Sequence, residues 1–205
     1  MARVEFFFDI SSPWTYLGFI NVQRLAARTG TEVRYRPILV GGVFNAVNPA
    51  VYAARDNPTA PRMRHAGQVL HDWAAWTGVK LNFPSPYHPA KSIQAMRIAT
   101  ALENDQATLI RFATAAFESY FLRAENLDDP KVLAAAAQSA GLDGATLLAA
   151  SQTDAVKARL RANTDELIAR GGYGSPTIFV DRDKMFFGND QLPLVEFALT
   201  GRAPR

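Results

Sequence analysis

The sequence predicts an α/β fold in which one mixed β-sheet is interrupted by an all-α insertion. Short apolar segments typical of strands occur only towards the two ends of the chain, at residues 4–9, 32–38, 177–180 and 184–187. About 120 of the residues between the two pairs instead carry helical spacing of apolar side chains and residues typical of helix ends. Strands that flank a helical block indicate a single sheet built from both ends of the chain.

The first forty residues predict a strand, a helix and a second strand. Residues 4–9 are rich in Phe and Val and are expected to form a buried strand. Ser12 followed by Pro13 is typical of a helix start, with a hydroxyl N-cap and proline at the first helical position, and Gly30 marks the expected end. Residues 32–38 alternate as a strand does. Because strand–helix–strand crossovers are right-handed, the two strands are expected to be parallel.

The middle of the chain predicts helices joined by two irregular segments. Residues 39–61 are expected to be a long irregular connection, because they contain Gly41-Gly42 and Asn48-Pro49. Three prolines exclude a helix over residues 82–89. Trp14, Trp73 and Trp76 are interpreted as core residues rather than binding platforms. Helices are predicted at about residues 62–76, 91–104, 107–125, 130–140, 143–148 and 152–170.

The last 35 residues predict a hairpin and a closing helix. Residues 177–180 and 184–187 are expected to be strands joined by a turn at residues 181–183. A helix over residues 190–200 follows, with regularly spaced leucines.

Composition excludes several classes of function. The 205 residues contain no cysteine, which excludes disulfide chemistry, protein thiolate catalysis and thiolate metal sites. The three histidines match no zinc motif, so no metal is expected. The net charge of +3 includes no run of five basic residues, so no nucleic-acid partner is expected. We expect no signal peptide, no membrane span and a cytoplasmic location, because no window approaches 18 apolar residues.

Three positions are candidates for ligand chemistry, and each has a purely structural alternative. Ser12 at a helix start can donate its O–H to the sulfur of another molecule, or it is only an N-cap. The Ser175-Pro176 bond at a strand start can be cis and expose backbone groups to an extended ligand, or it is an ordinary trans proline. Asn189 and Asp190 can hold a small zwitterion, or they cap the last helix.

Four segments, in order, resemble the 2-hydroxychromene-2-carboxylate isomerases. They are FDISSPWTYLG (8–18), PILVGGVFN (37–45), GSPTIFV (174–180) and FGNDQL (187–192). The kappa-class glutathione transferases look similar, and the disulfide oxidoreductase DsbA shares the architecture. The resemblance implies a thioredoxin-like fold (β-α-β … β-β-α) with a helical insertion domain. Its discontinuous thioredoxin-like domain would be residues 1–40 and 171–205, and residues 41–170 would form the connecting loop and the α-helical insertion domain.

The resemblance also implies glutathione as cofactor and assigns its contacts. Ser12 lies at the first position of the Cys-x-x-Cys motif of the redox relatives and would contact the glutathione sulfur; Ser11 is an adjacent hydroxyl. Pro176 falls on the family's cis-proline, and Ser175 before it would pair with the glutathione backbone. The γ-glutamyl end would be held by the segment comprising Phe187, Gly188, Asn189 and Asp190.

The function that the resemblance implies is glutathione-dependent isomerisation of an aromatic-derived 2-hydroxychromene-2-carboxylate-type substrate, by a homodimer. A kappa-class-like glutathione transferase and a non-catalytic glutathione-binding protein remain alternatives, whereas a disulfide oxidoreductase is excluded because cysteine is absent.

Where an isomerase of naphthalene breakdown has a lysine after the second strand, this sequence has Phe44, which is closer to the kappa pattern. Candidate substrate contacts are Phe44, Asn48 and Tyr87, with Tyr87 equally interpretable as a packed loop residue. Arg55, Arg62 and Arg64 are candidates for the substrate carboxylate.

Overall fold

A computed structural model, describing residues 4–57 and 59–202, has a four-stranded sheet enclosed by helices. The strand order is β2-β1-β3-β4. Strand β1 (Val4–Phe8) pairs in parallel with β2 (Val33–Pro37) and antiparallel with β3 (Thr177–Val180), which pairs antiparallel with β4 (Lys184–Phe187). The two ends of the chain therefore build one mixed sheet, which confirms the α/β prediction.

Helix α1 (Pro13–Thr29) connects the parallel strands and has the predicted ends. Ser12 is its N-cap in an extended conformation, and Pro13 is its first residue. Gly30 ends the helix with φ of 66°, a left-handed conformation that glycine adopts without steric cost. Both ends are thus set by local sequence.

The prediction of an irregular connection over residues 39–61 is wrong. Two short helices form there, α2 (Val40–Val47) and α3 (Ala50–Arg55). Val43 is fully buried on α2, whereas Gly41 and Gly42 face solvent. Burial of one apolar face against the rest of the protein outweighs the low helix propensity of the two glycines.

The helical insertion follows the predicted order with small shifts at the helix ends. Its first helix, α4, ends at Gly78 with φ of 66°. Residues 79–92 contain no helix, in agreement with their three prolines. The indole of Trp76 on α4 is 73% exposed, so its assignment to the core is wrong. The helices are α4 (Pro61–Thr77), α5 (Ile93–Ala101), α6 (Gln106–Phe121), α7 (Pro130–Ser139), α8 (Gly144–Ala150) and α9 (Asp154–Ala169).

Strands β3 and β4 have the predicted bounds, and the chain closes with α10 (Leu192–Thr200). A single 3₁₀ turn, Asn189–Gln191, precedes α10. The predicted closing helix therefore begins slightly late, because Pro193 fits the first turn of α10 and not its interior.

The two faces of the sheet bury different cores. Phe6 and Phe8 of β1 point to the main core, which α1, α10 and the insertion share. Phe7 points to the opposite face and packs with Val43 of α2 and Leu167 of α9. This alternation follows from the two-residue repeat of a strand, and it covers the sheet on both faces. None of the helices in the described part of the chain is both long and apolar enough to cross a membrane.

A buried ion-pair network connects the sheet with the insertion. The guanidinium of Arg36 on β2 is almost fully buried and lies 3.0 Å from a carboxylate oxygen of Glu5 and 3.1 Å from one of Glu103. Glu166 of α9 also pairs with Arg36, at 2.5 Å. Arg36 thereby joins β1, the α5–α6 connection and α9.

Candidate active site

Ser12 lies in the connection between β1 and α1, directly before the first residue of the helix. Its Oγ accepts a hydrogen bond of 3.2 Å from the backbone N–H of Thr15, which makes it the N-cap. The same hydroxyl donates to the carbonyl oxygen of Ser175 at 3.2 Å. The side chain is half-buried, so it is open to a ligand while its position is fixed from two sides.

The loop before β3 lies directly against the start of α1. The Ser175–Pro176 peptide bond is cis, as the resemblance implied. Ser175 Oγ accepts from the backbone N–H of Asp9 at 2.9 Å and lies 2.7 Å from Thr15 Oγ1. Ser12 and Ser175, 163 residues apart in sequence, are thus in contact, although the structural N-cap role of Ser12 is real as well.

A buried carboxylate, which sequence reasoning missed, supports this arrangement. Asp9 is fully buried and accepts hydrogen bonds from the Ser11 N–H at 2.9 Å and the Ser11 hydroxyl at 2.8 Å. Burial raises the pKa of Asp9, and hydrogen bonds from Ser11, Val40 and Ser92 oppose that rise. An acidic residue at the end of an apolar strand was the available signal, because such a group needs several donors once buried.

Gly188 and its neighbours adjoin the cis-proline. The N–H of Gly188 donates to the carbonyl oxygen of Pro176 at 3.0 Å. Gly188 has φ of 96°, and a Cβ there would lie 2.5 Å from Oδ1 of Asp190, so a side chain at this position would be strained and crowded. The carboxylate of Asp190 belongs to an exposed residue. Asn189 is buried, and its amide oxygen accepts from Asn21 on α1 at 2.8 Å.

An aromatic surface borders the cis-proline loop. Phe187 is half-buried, and its ring centroid lies 4.4 Å from that of Tyr173. A Cβ placed on Gly174 would lie 2.7 Å from Cε2 of Phe187 and 3.7 Å from Cε1 of Phe44. The amide of Asn48 donates to the carbonyl oxygen of Tyr173 at 3.2 Å. Phe44, Asn48 and Phe187, three of the sequence candidates, therefore belong to one surface.

Tyr52 and Tyr173 extend this surface and were not singled out in the sequence. The rings of Phe44 and Tyr52 meet edge to face with centroids 6.3 Å apart, and the Tyr52 hydroxyl donates to Asn45 at 2.8 Å. Tyr52 was hidden because it lies on α3, in the segment expected to be irregular. Tyr173 precedes the glycine before the cis-proline, and an aromatic residue beside that motif was the available signal.

Tyr87 lies in the proline-rich loop, and its site role stays a prediction. Its side chain is 47% exposed, and its carbonyl oxygen accepts from the hydroxyl of Tyr120 at 3.2 Å. In the part of the chain that the structure describes, no hydrogen bond or ring contact joins the Tyr87 side chain to Ser12 or Phe44. The loop does reach the site at its far end, because Ser92 is close enough to Asp9 to oppose the rise in the pKa of its carboxyl group.

Charged groups give the site little beyond Asp9 and Asp190. Across residues 4–57 and 59–202, no cluster of three or more metal-binding side chains occurs. Of the candidate carboxylate partners, Arg64 is exposed and donates to the carbonyl oxygen of Thr59 at 3.0 Å, while the side chain of Arg55 lies outside the described set. The site therefore relies on hydroxyl groups, backbone N–H groups and a helix N-terminus to hold an anion.

The chain is similar in sequence and fold to known proteins. Residues 3–200 match the family described as DSBA-like thioredoxin domain. The chain is 31% identical over 193 residues to a 2-hydroxychromene-2-carboxylate isomerase of Sphingobium xenophagum, covering 94% of this chain and 95% of that protein. It is 25% identical over 213 residues to glutathione S-transferase kappa 1 of Rattus norvegicus, covering 96% and 90%. A solved 2-hydroxychromene-2-carboxylate isomerase superposes with a TM-score of 0.78 at 24% identity, covering 96% of this chain and 94% of that one.

Proposed function

This chain belongs to the family of DSBA-like thioredoxin domains that includes 2-hydroxychromene-2-carboxylate isomerases, and on that premise we propose that it is a glutathione-dependent isomerase of a 2-hydroxychromene-2-carboxylate-type substrate. One observation carries the proposal. A half-buried hydroxyl, Ser12 Oγ, lies at the N-terminus of α1 and against the carbonyl of Ser175, in a chain that contains no cysteine. Where the redox relatives have the first cysteine of their motif, this chain has the hydroxyl of Ser12, which can donate a hydrogen bond to the sulfur of another molecule.

The start of α1 supplies the electrostatics that a thiolate needs. A helix of 17 residues carries a partial positive charge at its N-terminus, and Ser12 adds an O–H donor at that point. The effect is to lower the pKa of a bound thiol and to raise the fraction that is nucleophilic at neutral pH. Ser12 can turn its O–H from the Ser175 carbonyl to the sulfur by rotation about its Cβ–Oγ bond alone, so that Oγ keeps accepting from the Thr15 N–H.

The loop before β3 and the segment before α10 suit the rest of glutathione. The backbone of Ser175 would pair with the extended tripeptide, as a strand edge pairs with a peptide. The exposed carboxylate of Asp190 would hold the ammonium of the γ-glutamyl end. Gly188 would let the ligand approach the backbone closely, since it carries no Cβ.

The reaction would combine ring opening with addition, rotation and elimination. The hemiketal of the hydroxychromene opens first: the bond from the hemiketal carbon to the aryl oxygen breaks, the hydroxyl on that carbon loses its proton and becomes a ketone, and the aryl oxygen takes up a proton as a phenol. Bound glutathione would supply a sulfur nucleophile whose reversible addition makes the conjugated double bond temporarily single, so that this bond can rotate before the sulfur is expelled and the double bond re-forms. Ser12 and the N-terminus of α1 would hold the sulfur and favour its deprotonated form, with the thiol proton leaving to solvent and returning at the end. Glutathione is regenerated and no electrons are gained or lost, so addition divides one hard step into easier ones.

The aromatic surface would hold the substrate ring beside the sulfur. Phe44, Tyr173 and Phe187 present ring faces and edges next to Gly174 and the cis-proline loop. Offset and edge-to-face packing against such rings favours a planar aromatic substrate. Asn48, whose amide is bonded to the Tyr173 carbonyl, holds α2 against this loop and so positions Phe44.

The test is an isomerisation assay with and without glutathione. We expect conversion of 2-hydroxychromene-2-carboxylate only when reduced glutathione is present, with glutathione recovered unchanged. In Ser12→Ala, kcat should fall about a hundredfold, the usual loss when one donor to a developing anion is removed. Since that substitution also removes an N-cap, Asp143→Ala is the matched control: Asp143 caps α8, so its loss should lower stability without lowering kcat.

A transferase of the kappa type is the alternative that one observation favours. Phe44 is part of the aromatic surface, and by the resemblance it falls where an isomerase of naphthalene breakdown has a lysine. An apolar residue there would accept an uncharged electrophile. Rapid conjugation of glutathione to a chromogenic aryl halide, without isomerisation of the chromene carboxylate, would select the transferase. If the native protein turned over neither substrate, and Ser12→Ala bound glutathione with unchanged affinity, the chain would be a binding protein.

The likeness to these relatives extends the proposal to assembly and location. We infer a homodimer, which light scattering at micromolar concentration would test. We also infer a cytoplasmic location, because the reaction uses glutathione in its reduced form and the cytosol keeps thiols reduced.

A further inference from the structure

A second cleft, remote from Ser12, lies between α1, α4 and α10. Its volume is about 690 Å³, within the range of sites for small molecules. Asn21, Arg24 and Arg28 line it from α1, and Trp76 lines it from α4. At about 1.5 Å per helical residue, Asn21 lies about 13 Å and Arg28 about 24 Å along α1 from Ser12. Arg24 and Arg28 are therefore remote from Ser12, although Asn189, at one edge of the cleft, also belongs to the segment expected to hold the γ-glutamyl end of glutathione.

A chain of hydrogen bonds in this cleft ends in a donor that has no acceptor. Arg24 Nη1 donates to Asn21 Oδ1 at 3.2 Å and to the carbonyl oxygen of Thr77. Asn21 Nδ2 donates in turn to Asn189 Oδ1 at 2.8 Å. Asn189 is only 1% exposed, and its Nδ2 has no hydrogen-bond partner among the described residues. Because this Nδ2 is enclosed by protein, the chain of hydrogen bonds serves to hold Asn21 and Arg24 in place along the wall of the cleft.

The charges around the cleft favour an anion. Arg24, Arg28 and Arg202 line it together with one carboxylate, Glu196, which is paired with Arg28. This leaves Arg24, whose guanidinium is oriented by Asn21 and Thr77 and keeps further N–H groups for a ligand. A guanidinium fixed in this way loses little freedom when it binds a carboxylate.

Two tryptophans give the cleft an aromatic wall. The rings of Trp73 and Trp76 meet edge to face with centroids 4.9 Å apart, so the orientation of the exposed Trp76 ring is fixed by its neighbour. A fixed indole beside guanidinium groups is suited to stacking with a flat ring.

We propose that this cleft is a second binding site, for a planar aromatic carboxylate. The carboxylate lies on Arg24, and the ring lies on Trp76. Binding there requires neither glutathione nor the hydroxyl of Ser12, so the site does not depend on the reaction proposed above.

The test uses 2-naphthoate as the probe and 2-naphthalenemethanol as its uncharged counterpart. Calorimetry should give one naphthoate per chain, with the alcohol at least about tenfold weaker, because the alcohol lacks the charge that Arg24 recognises. In Trp14→Phe, only Trp73 and Trp76 remain to fluoresce, and naphthoate should quench them. Trp76→Ala, at an exposed side chain, and Arg24→Gln should each weaken naphthoate binding about tenfold. Arg161→Gln, on the exposed face of α9, is the matched control and should leave it unchanged.

The same variants separate this site from the proposed active site. Ser12→Ala should bind naphthoate with unchanged affinity, and Arg24→Gln and Trp76→Ala should isomerise at the native rate. The proposal is overturned if neither Arg24→Gln nor Trp76→Ala weakens binding, or if the alcohol binds as well as the acid. Loss of binding in Ser12→Ala, or competition by glutathione, would place naphthoate at Ser12 instead. A dimer that Trp76→Ala dissociates, with naphthoate excluded from the native dimer, would make the cleft a subunit interface and also overturn the proposal.

Discussion

The carboxylate of Asp9 accepts a hydrogen bond of 2.8 Å from the backbone N–H of Val40, which ties the end of β1 to the first residue of α2. Its other oxygen accepts from the N–H and the hydroxyl of Ser11, one residue before the N-cap of α1. Asp9 therefore sets the position of both helix starts that border the active site. Burial of Asp9 disfavours its ionised form. It raises the pKa of Asp9 by more than these hydrogen bonds lower it.

The raised pKa of Asp9 predicts how stability changes with pH. A group whose pKa is higher in the folded state contributes most below its unfolded value, here 3.8, and that contribution is lost as pH rises through the folded pKa. Asp9→Asn removes this titration. We expect the free energy of unfolding of the native protein, minus that of Asp9→Asn, to increase as pH falls from about 7 towards about 4. Urea unfolding of both proteins at matched pH values measures this difference in free energy, and the contributions of the other titrating groups cancel. A difference that stays flat, or shrinks on acidification, contradicts the prediction.

The close packing of Phe187 against Gly174 predicts that the site tolerates no side chain at this position, directly before Ser175. A methyl group there would lie 2.7 Å from Cε2 of Phe187, whose ring is held by Tyr173. Gly174→Ala must therefore displace the Phe187 ring, and we expect kcat/KM for isomerisation to fall at least about tenfold and stability to fall by about 1–3 kcal/mol. Steady-state kinetics and urea unfolding measure the two effects.

Gly67 on α4 provides the matched control for that substitution. A Cβ at Gly67 meets nothing within 4 Å, and the position is helical. Gly67→Ala should raise stability by up to about 1 kcal/mol, because alanine loses less backbone entropy in a helix, and should leave kinetics unchanged. If Gly174→Ala behaved like Gly67→Ala, the close packing of Phe187 would not matter to the reaction.

The sequence predicts those elements whose ends are set by neighbouring residues. Helix α1 follows from Ser12, Pro13 and Gly30, and β3 and β4 follow from short apolar runs around a turn. Helix α2 escapes prediction because remote groups satisfy its start: the Leu39 N–H donates to Thr164 Oγ1 at 3.0 Å, and the Val40 N–H donates to Asp9. No pattern within residues 39–61 contains those partners.

For the site too, local sequence identifies some positions but does not reveal which of them are in contact. Ser12 and Ser175 are identifiable as positions at a helix start and before a proline, but nothing local to either one indicates that they touch across 163 residues. Their pairing follows from the resemblance to a known family and from the antiparallel register of β1 with β3, which brings Phe7 opposite Thr177. Ser92 has no sequence signal at all, because its contact with Asp9 depends on how the proline-rich loop returns to the sheet.

Asp190 predicts a specific loss of affinity for glutathione. The residue is exposed beside Gly188, where it would hold the γ-glutamyl ammonium. Asp190→Asn should weaken glutathione binding about tenfold in calorimetry, the scale of one charge-assisted hydrogen bond. Asp165→Asn, at an exposed position on α9, should not change it.

The ligand offers an independent check on the role of Asp190. N-acetylglutathione lacks the ammonium, so it should bind the native protein about as weakly as glutathione binds Asp190→Asn. Combining the modified ligand with the variant should then cause little further loss, because both changes remove the same interaction. Losses that simply add would show that Asp190 acts elsewhere.

The ion-pair network around Arg36 predicts a large effect on stability from a residue outside the active site. Arg36→Met leaves the buried carboxylates of Glu5 and Glu103 without the charge that lies between them. Breaking one partner out of a buried network costs about 3–5 kcal/mol, and we expect a loss of that size in urea unfolding. Arg159→Met is the matched control: Arg159 also pairs with Glu103, but its side chain is 45% exposed, so its loss should cost no more than about 1 kcal/mol.

A second substitution separates unpaired charge from lost packing around Arg36. Glu5→Met added to Arg36→Met removes a buried carboxylate that then keeps only its pairing with Arg170, at 2.9 Å, and should recover part of the lost stability, because apolar replacements of a buried pair are often tolerated. If the network acts as we infer, hydrogen exchange in Arg36→Met should also increase in α9, which Arg36 joins to the sheet through Glu166. An Arg36→Met protein no less stable than Arg159→Met would mean that the sheet and the insertion are held together by apolar packing alone.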